Sequence, residues 1–245
     1  MILLIEYFKS PNPDRDSEYL FCINQNVNNS LIEEIYVFIS DDSELVIKNP
    51  KIKIEKRETR PTFYDLFEFA NSFESKEVII SNTDIFLDQT LSELKGYDLN
   101  NKFLALTRWD IFQQQNNWFV RYYDNPWMEC HKSDGTIDED ESISTSHLSQ
   151  DCWIFKTPVK MDDRLKFLMG KPGCDNRITQ IMHENEYQVS NPSLLVKILH
   201  YHQTNYRTYT NQDVIPGPYL LVRPTDDLNK KSKVKTIPNF QVIRK

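Results

Sequence analysis

Val78-Ile-Ile-Ser-Asn-Thr-Asp-Ile-Phe-Leu-Asp88 sets an apolar run directly before a polar Asn-x-Asp. The run has the pattern of a strand covered on both faces. In open α/β sheets, ligands bind outside the carboxyl ends of parallel strands. A carboxylate at that place, Asp84, is positioned to hold a hard cation. Mg²⁺ or Mn²⁺ takes few protein ligands and completes its shell with other oxygens, phosphate among them. Asn82 and Asp84 are also common turn formers, so the pair alone reads equally as the turn that ends a strand.

Outward from this stretch, strand-like and helix-like segments alternate. Met1–Tyr7, Glu34–Ser40, Lys51–Lys56, Glu77–Ser81 and Phe103–Thr107 read as strands. Asp16–Gln25 reads as a helix, with Tyr19, Leu20 and Ile23 on one side. Thr62–Phe73 places Phe63, Leu66, Phe67, Ala70 and Phe73 at helical spacing, with Thr62 as cap after Pro61. Further on, Asp151–Lys156 and Leu194–Tyr201 read as strands. Cys174–Glu184 reads as a helix opened by Gly173, with Asp175 in its first turn. The alternation predicts one α/β domain with a mostly parallel central sheet flanked by helices. Arg108–Gln150 shows few clean periods, and its Ser-rich acidic end, Ser133–Ser149, reads as a surface loop. Residues 230–245 read as a basic C-terminal tail, solvated or touching acidic lipid.

Composition narrows the function. The chain has 245 residues, 39% hydrophobic and 27% charged, and a formal net charge of −7. That excludes disordered, collagenous and coiled-coil classes. An acidic chain repels phosphate backbones, so nucleic acid is not an expected partner. No apolar run approaches the roughly 20 residues of a membrane span. The apolar start lacks a basic flank and a cleavage site and reads as a first strand. Cys22, Cys130, Cys152 and Cys174 form no C-x-x-C pair, which argues against structural zinc and reads as reduced thiols of a cytoplasmic protein. Five glycines, with no G-x-G-x-x-G and no Walker loop, leave no dinucleotide fingerprint or P-loop.

Several later stretches follow in order: Ser149-Gln-Asp-Cys-Trp-Ile-Phe155, Gly170-Lys-Pro-Gly-Cys-Asp-Asn-Arg-Ile178, Tyr187-Gln-Val-Ser-Asn-Pro-Ser193 and His200-Tyr-His202. With Asn82-Thr83-Asp84, this order resembles the GT-A glycosyltransferases over roughly Met1 to Tyr209. Asn82 stands where that family's Asp-x-Asp metal motif has its first acid. The resemblance implies a single GT-A-like, Rossmann-related catalytic domain over 1–229. Residues 1–107 would be its nucleotide-sugar-binding half and 108–229 its acceptor-binding half. It implies transfer of a sugar, of hexosyl or deoxyhexosyl type, from a UDP- or GDP-sugar to a carbohydrate acceptor hydroxyl, with Mn²⁺ or Mg²⁺. Gly-x-x-Gly-x-Asp-Asn looks like the family's acidic motif at a helix start. The late His-x-His looks like the histidine that closes the metal shell.

Sugar transfer from a nucleotide diphosphate requires a cation on the leaving group and a base for the attacking hydroxyl. For the metal the candidates are Asp84 and one imidazole. His202 is favoured over His200 because it lies closer to the polar Thr204-Asn205-Tyr206-Arg207 stretch. Asp175 and Asp151 are the carboxylates for the acceptor side. Asp175 reads equally as a helix cap, and Asp151 as a partner of Arg177 or Lys156. Arg60, Tyr64 and Asp65, beside a helix start, join Asn82, Thr83 and Asp84 as nucleotide-sugar contacts. Trp109 and Trp127 are acceptor-stacking candidates or ordinary core. A nucleotidyltransferase, or a non-catalytic carbohydrate-binding or scaffold module on the same fold, remains an alternative.

Overall fold

The computed structural model describes residues 1–114, 117–122, 149–204, 206 and 209–238. The first strands, β1 (Ile2–Glu6), β2 (Glu34–Ile39), β3 (Ile52–Lys56) and β4 (Glu77–Ser81), follow the expected apolar runs. With β6 (Lys102–Leu106), β9 (Cys152–Lys156) and β10 (Gln188–Ser190) they build a seven-stranded sheet, ordered β10-β6-β9-β4-β1-β2-β3. Neighbours are parallel except at β9, which runs antiparallel to both β4 and β6. The mostly parallel α/β sheet is therefore as expected. The reversed β9 has a consequence for the site: it brings the start of that strand, next to Asp151, to the edge where β1 and β4 end.

Side-chain alternation divides the core between the two faces of the sheet. Leu4, Ile80, Trp153 and Phe155 pack against α2 (Phe63–Ala70) and α3 (Cys174–Glu184). Leu3, Ile5, Ile79 and Ile154 pack beneath α1 (Pro13–Asn28). Helix α1 starts three residues before the expected Asp16. Asn12 caps it, accepting from the N–H groups of Asp14 and Arg15, and Pro13 occupies the first turn. Helix α2 is shorter than the periodic run suggests and stops at Ala70, where Asn71 closes the last turn.

A second sheet, ordered β5-β11-β7-β8, is made of β5 (Ile85–Leu87), β7 (Arg108–Gln114), β8 (Asn117–Tyr122) and β11 (Ile198–Tyr201). The region without clean periods thus contains the β7–β8 hairpin. Its alternation in Arg108-Trp109-Asp110-Ile111 is a strand pattern with one charged face. The division at residue 107 does not separate two structural halves, because β9 and β10 return to the first sheet. Nor do residues 230–245 begin as a free tail: β13 (Val234–Ile237) pairs antiparallel with β12 (Tyr219–Val222). The acidic run 133–148 lies outside the described residues.

A polar side chain fastens α1 to the second sheet. Asn26, fully buried on α1, donates to the Ile85 carbonyl and accepts from Leu87 N–H, both at 3.0 Å. Truncating Asn26 to Ala strands two buried backbone groups of β5, at about 2–5 kcal/mol. Urea denaturation of Asn26→Ala should show that loss as a lower midpoint with an unchanged slope.

Candidate active site

The carboxyl ends of β1 and β4, the corner between β6 and β7, and the entry to β9 converge on one pocket. It is lined by Glu6, Asn82, Thr83, Asp84, Arg108 and Asp151, with Arg15 and Arg60 from one side and Gly170–Asp175 and Tyr209 from the other. This is the edge at which open α/β sheets place ligands.

Asp84 leaves β4 into the pocket and is buried, with 7% of its surface exposed. Its Oδ2 accepts from Arg15 Nη2 at 2.5 Å and faces His200 Nε2 at 3.2 Å and His202 Nδ1 at 3.7 Å. Burial pushes the Asp84 carboxyl up, but His200 and Arg15 outweigh it and hold it well below the usual carboxylate range. Arg15 also donates to Glu18 Oε2 at 2.7 Å. Glu18 Oε1 in turn accepts from the N–H groups of Gln203 and Thr204 at 2.6 and 2.8 Å. Helix α1 thereby fixes the segment that follows β11.

Both imidazoles reach Asp84. Positions two apart on a strand share a face, and His200 in β11 and His202 just past its end at Tyr201 keep that relation, so Asp84, His200 and His202 present ligand atoms within 4.8 Å of one another. The expectation that only one imidazole faces the site is corrected. On its other nitrogen, His200 Nδ1 meets Asp110 Oδ1 at 2.7 Å. A carboxylate behind an imidazole is the usual outer partner of a metal-bound histidine. One carboxylate and two imidazoles are a donor set of the kind that can hold a divalent transition ion.

Arg108 donates from Nη1 to both oxygens of Asp151, at 3.2 and 3.3 Å, and from Nε to Asp110 at 3.1 Å. Asp151 also accepts from Asn82 Nδ2 at 3.0 Å and from the Ser149 hydroxyl. Its partner is therefore Arg108, not Arg177 or Lys156. Asp175 is different. It is the second residue of α3, which follows Gly173, whose φ of +81° and a Tyr219 ring carbon 2.9 Å from a would-be Cβ exclude a side chain there. Its carboxylate receives only backbone donors, Gln150 N–H at 3.4 Å among them, and among the described residues no ion pair. The first turn of a helix favours an ionised carboxylate, but burial and the Asp151 charge push Asp175 up to about 7, against those backbone donors.

The remaining sequence candidates divide. Arg60 lines the pocket and forms a bidentate pair with Glu6, at 2.6 and 2.7 Å. The Thr83 hydroxyl is bonded to the Glu6 carbonyl. Tyr64 and Asp65 do not line the pocket: Asp65 closes the capping box of α2 with Thr62, and Tyr64 packs at the rim of the core beneath Lys166. Trp109 is also placed elsewhere. It alternates to the face opposite Arg108 and Asp110, donates to the Ser193 carbonyl at 2.8 Å and packs on Tyr122. Trp127 lies outside the described residues. Sequence reasoning missed Glu6, Arg15, Glu18, Arg108 and Asp110. The charged alternation in β7 was a usable signal for two of them; an i, i+3 Arg–Glu pair on a helix carries none.

The linkage of Asp175 has a definite sign. A carboxyl whose folded pKa is raised to about 7 binds its proton more tightly folded than unfolded, so its contribution to stability is lost as pH rises from about 4 through 7. Asp175→Asn should melt above the wild type at pH 8, and the gap should close on titration toward pH 4 in a thermal-shift series.

No protein-family model matches the sequence, and no curated protein matches it. Among solved structures, S. aureus TarS residues 1–349 in complex with UDP-GlcNAc superposes with a TM-score of 0.54 at 12% identity, covering 85% of this chain and 61% of that one. The chain thus spans about three fifths of that structure's length. The 4-diphosphocytidyl-2C-methyl-D-erythritol synthase of Anaerococcus prevotii DSM 20548 aligns with a TM-score of 0.43 at 13% identity, over 86% of this chain and 94% of that one. Among the described residues no helix is long and apolar enough to cross a membrane. The sheet order and the TarS superposition agree with the resemblance read from the motifs, and the chain has the GT-A glycosyltransferase fold.

Proposed function

We propose that the chain is a glycosyltransferase that moves a hexosyl or deoxyhexosyl group from a UDP- or GDP-sugar to a carbohydrate hydroxyl with the help of Mn²⁺ or Mg²⁺. The observation that carries this reading is the charge balance of the pocket. Its lining cations are Arg15, Arg60, Arg108 and Lys171, and each is already paired with a carboxylate: Glu18 and Asp84, Glu6, Asp151, and Asp213. A nucleotide diphosphate entering here brings negative charge that these groups have no surplus to meet. Asp84, His200 and His202 would hold the added cation, which supplies Lewis-acid stabilisation of the leaving diphosphate.

The chain's own groups divide the remaining work. Arg60 and Glu6 stand at the end of β1, where a nucleoside would be gripped. Asp175 is the proton acceptor for the attacking hydroxyl, because a base works best with a pKa near the working pH and with no cation holding its charge. Asp151 has its oxygens engaged by Arg108, Asn82 and Ser149, so it orients and does not take the proton.

Two outcomes test the reading. Titration calorimetry with UDP- and GDP-sugars should show binding that needs Mn²⁺. Asp84→Asn should abolish the metal requirement along with most of the affinity. Asparagine is the variant of choice, because Asp84→Ala would strip a buried arginine of a partner and weaken the fold. Nucleotide binding indifferent to Mn²⁺ and chelator would remove the metal, and no nucleotide binding would leave a non-catalytic module. The second outcome concerns the base. Turnover should rise with pH through about 7, following ionisation of Asp175. Asp175→Asn should lose roughly 10²–10⁴-fold in rate and the pH dependence with it, while nucleotide affinity stays within a few-fold.

A further inference from the structure

The Asn-x-Asp turn, the first residues of β7, the entry to β9 and the end of β11 are joined by side chains in a closed ring. Asn82 Nδ2 donates to Asp151 Oδ1 at 3.0 Å, and its backbone N–H donates to the Asp151 carbonyl at 3.1 Å. Arg108 joins Asp151 to Asp110, Asp110 meets His200, and His200 faces Asp84, at distances of 2.7–3.3 Å. Asp84 is two residues from Asn82, which closes the circuit. Asp151 is 7% exposed and Arg108 has 16% of its side chain exposed, so the ring lies largely out of water.

The residue type at position 82 follows from this ring. A carboxylate there would lie about 3 Å from the Asp151 carboxylate, and like charges at that separation cannot both stay ionised at ordinary cost. An amide of the same size donates where the acid would repel. We propose that Asn82 and Arg108 are positioning residues that clamp Asp151 between them, and that the Asn of the Asn-x-Asp turn is required by this clamp and is not a lost metal ligand. Through Arg108, Asp110 and His200 the clamp also fixes the metal-binding side of the pocket against the Asp175 side. The turnover arm of the test rests on the glycosyltransferase reading; the stability arm does not.

The stability arm is a cycle at positions 82 and 151. Asn82→Asp should lower the melting temperature by roughly 5–10 °C. Adding Asp151→Asn should restore most of it, because acid and amide have then exchanged places. The turnover arm uses hydrolysis of UDP-GlcNAc and calorimetry of UDP with Mn²⁺. Asn82→Asp and Arg108→Gln should each lower kcat about 10²-fold, with KM and the Mn²⁺-dependent UDP affinity within threefold. Arg108→Lys should recover part of the loss. The exchanged pair should recover stability and not kcat, since Arg108 then faces an amide. An unchanged melting temperature for Asn82→Asp, or tighter Mn²⁺ binding by that variant, overturns the clamp. Should the wild type neither bind UDP with Mn²⁺ nor hydrolyse the sugar, the glycosyltransferase reading fails while the 82/151 cycle still decides the clamp.

Discussion

A carboxylate withdrawn from water stays charged only if its surroundings replace the hydration it has lost. Asp84 meets that condition through Arg15 and the two imidazoles, and much of the molecule is arranged around the fact. Helix α1 supplies Arg15 from its first turn and is locked to β5 by Asn26. Glu18, one turn along, holds the backbone that carries His202 in place. The second sheet delivers His200 and Asp110 from neighbouring strands. Two sheets and a helix thus meet at one ionised oxygen.

The same economy of charge separates the two acids on the other side of the pocket. Asp151 and Asp175 are close enough for one to influence the proton affinity of the other. Arg108 lies on Asp151. Asp175 is left with backbone donors at the start of α3, and the favourable helix dipole does not offset its burial. Two carboxylates with similar sequence credentials acquire different surroundings from one guanidinium.

The parts of this architecture that were legible in the sequence are those governed by local periodicity. Strands β1, β2 and β4 are short apolar runs, and α2 and α3 have clear stripes, so their identity follows from burial alone. The Asn82–Asp84 turn and Asp175 were legible because each sits at the boundary of such an element. Strand β9 was recognised, but its direction was not, because pairing partners are set by long-range topology and not by composition. The hairpin β7–β8 was hidden because exposed apolar residues blur its alternation: Trp118, Phe119 and Val120 are all exposed. Tyr64, Asp65 and Trp109 were misplaced for a related reason. Proximity to a helix start or an aromatic run says nothing about which way a side chain points. Arg15, Glu18 and Arg108 act across 69, 185 and 43 positions of sequence, beyond the reach of any local pattern.

Thr107 is the single residue between β6 and β7, where the chain passes from one sheet into the other. It is fully buried. Its N–H is bound by the Asn191 side chain, which also reaches the Val222 carbonyl, and its hydroxyl donates to the Ser149 carbonyl. A corner so short and so tightly held leaves the sheets no freedom to shear past each other. The β4 and β7 walls of the pocket therefore behave as one stiff angle-iron, and admitting a large ligand falls to the pieces that rest on that angle from outside: the Gly170–Gly173 loop and the Tyr209 segment, tied together through Lys171 and Asp213.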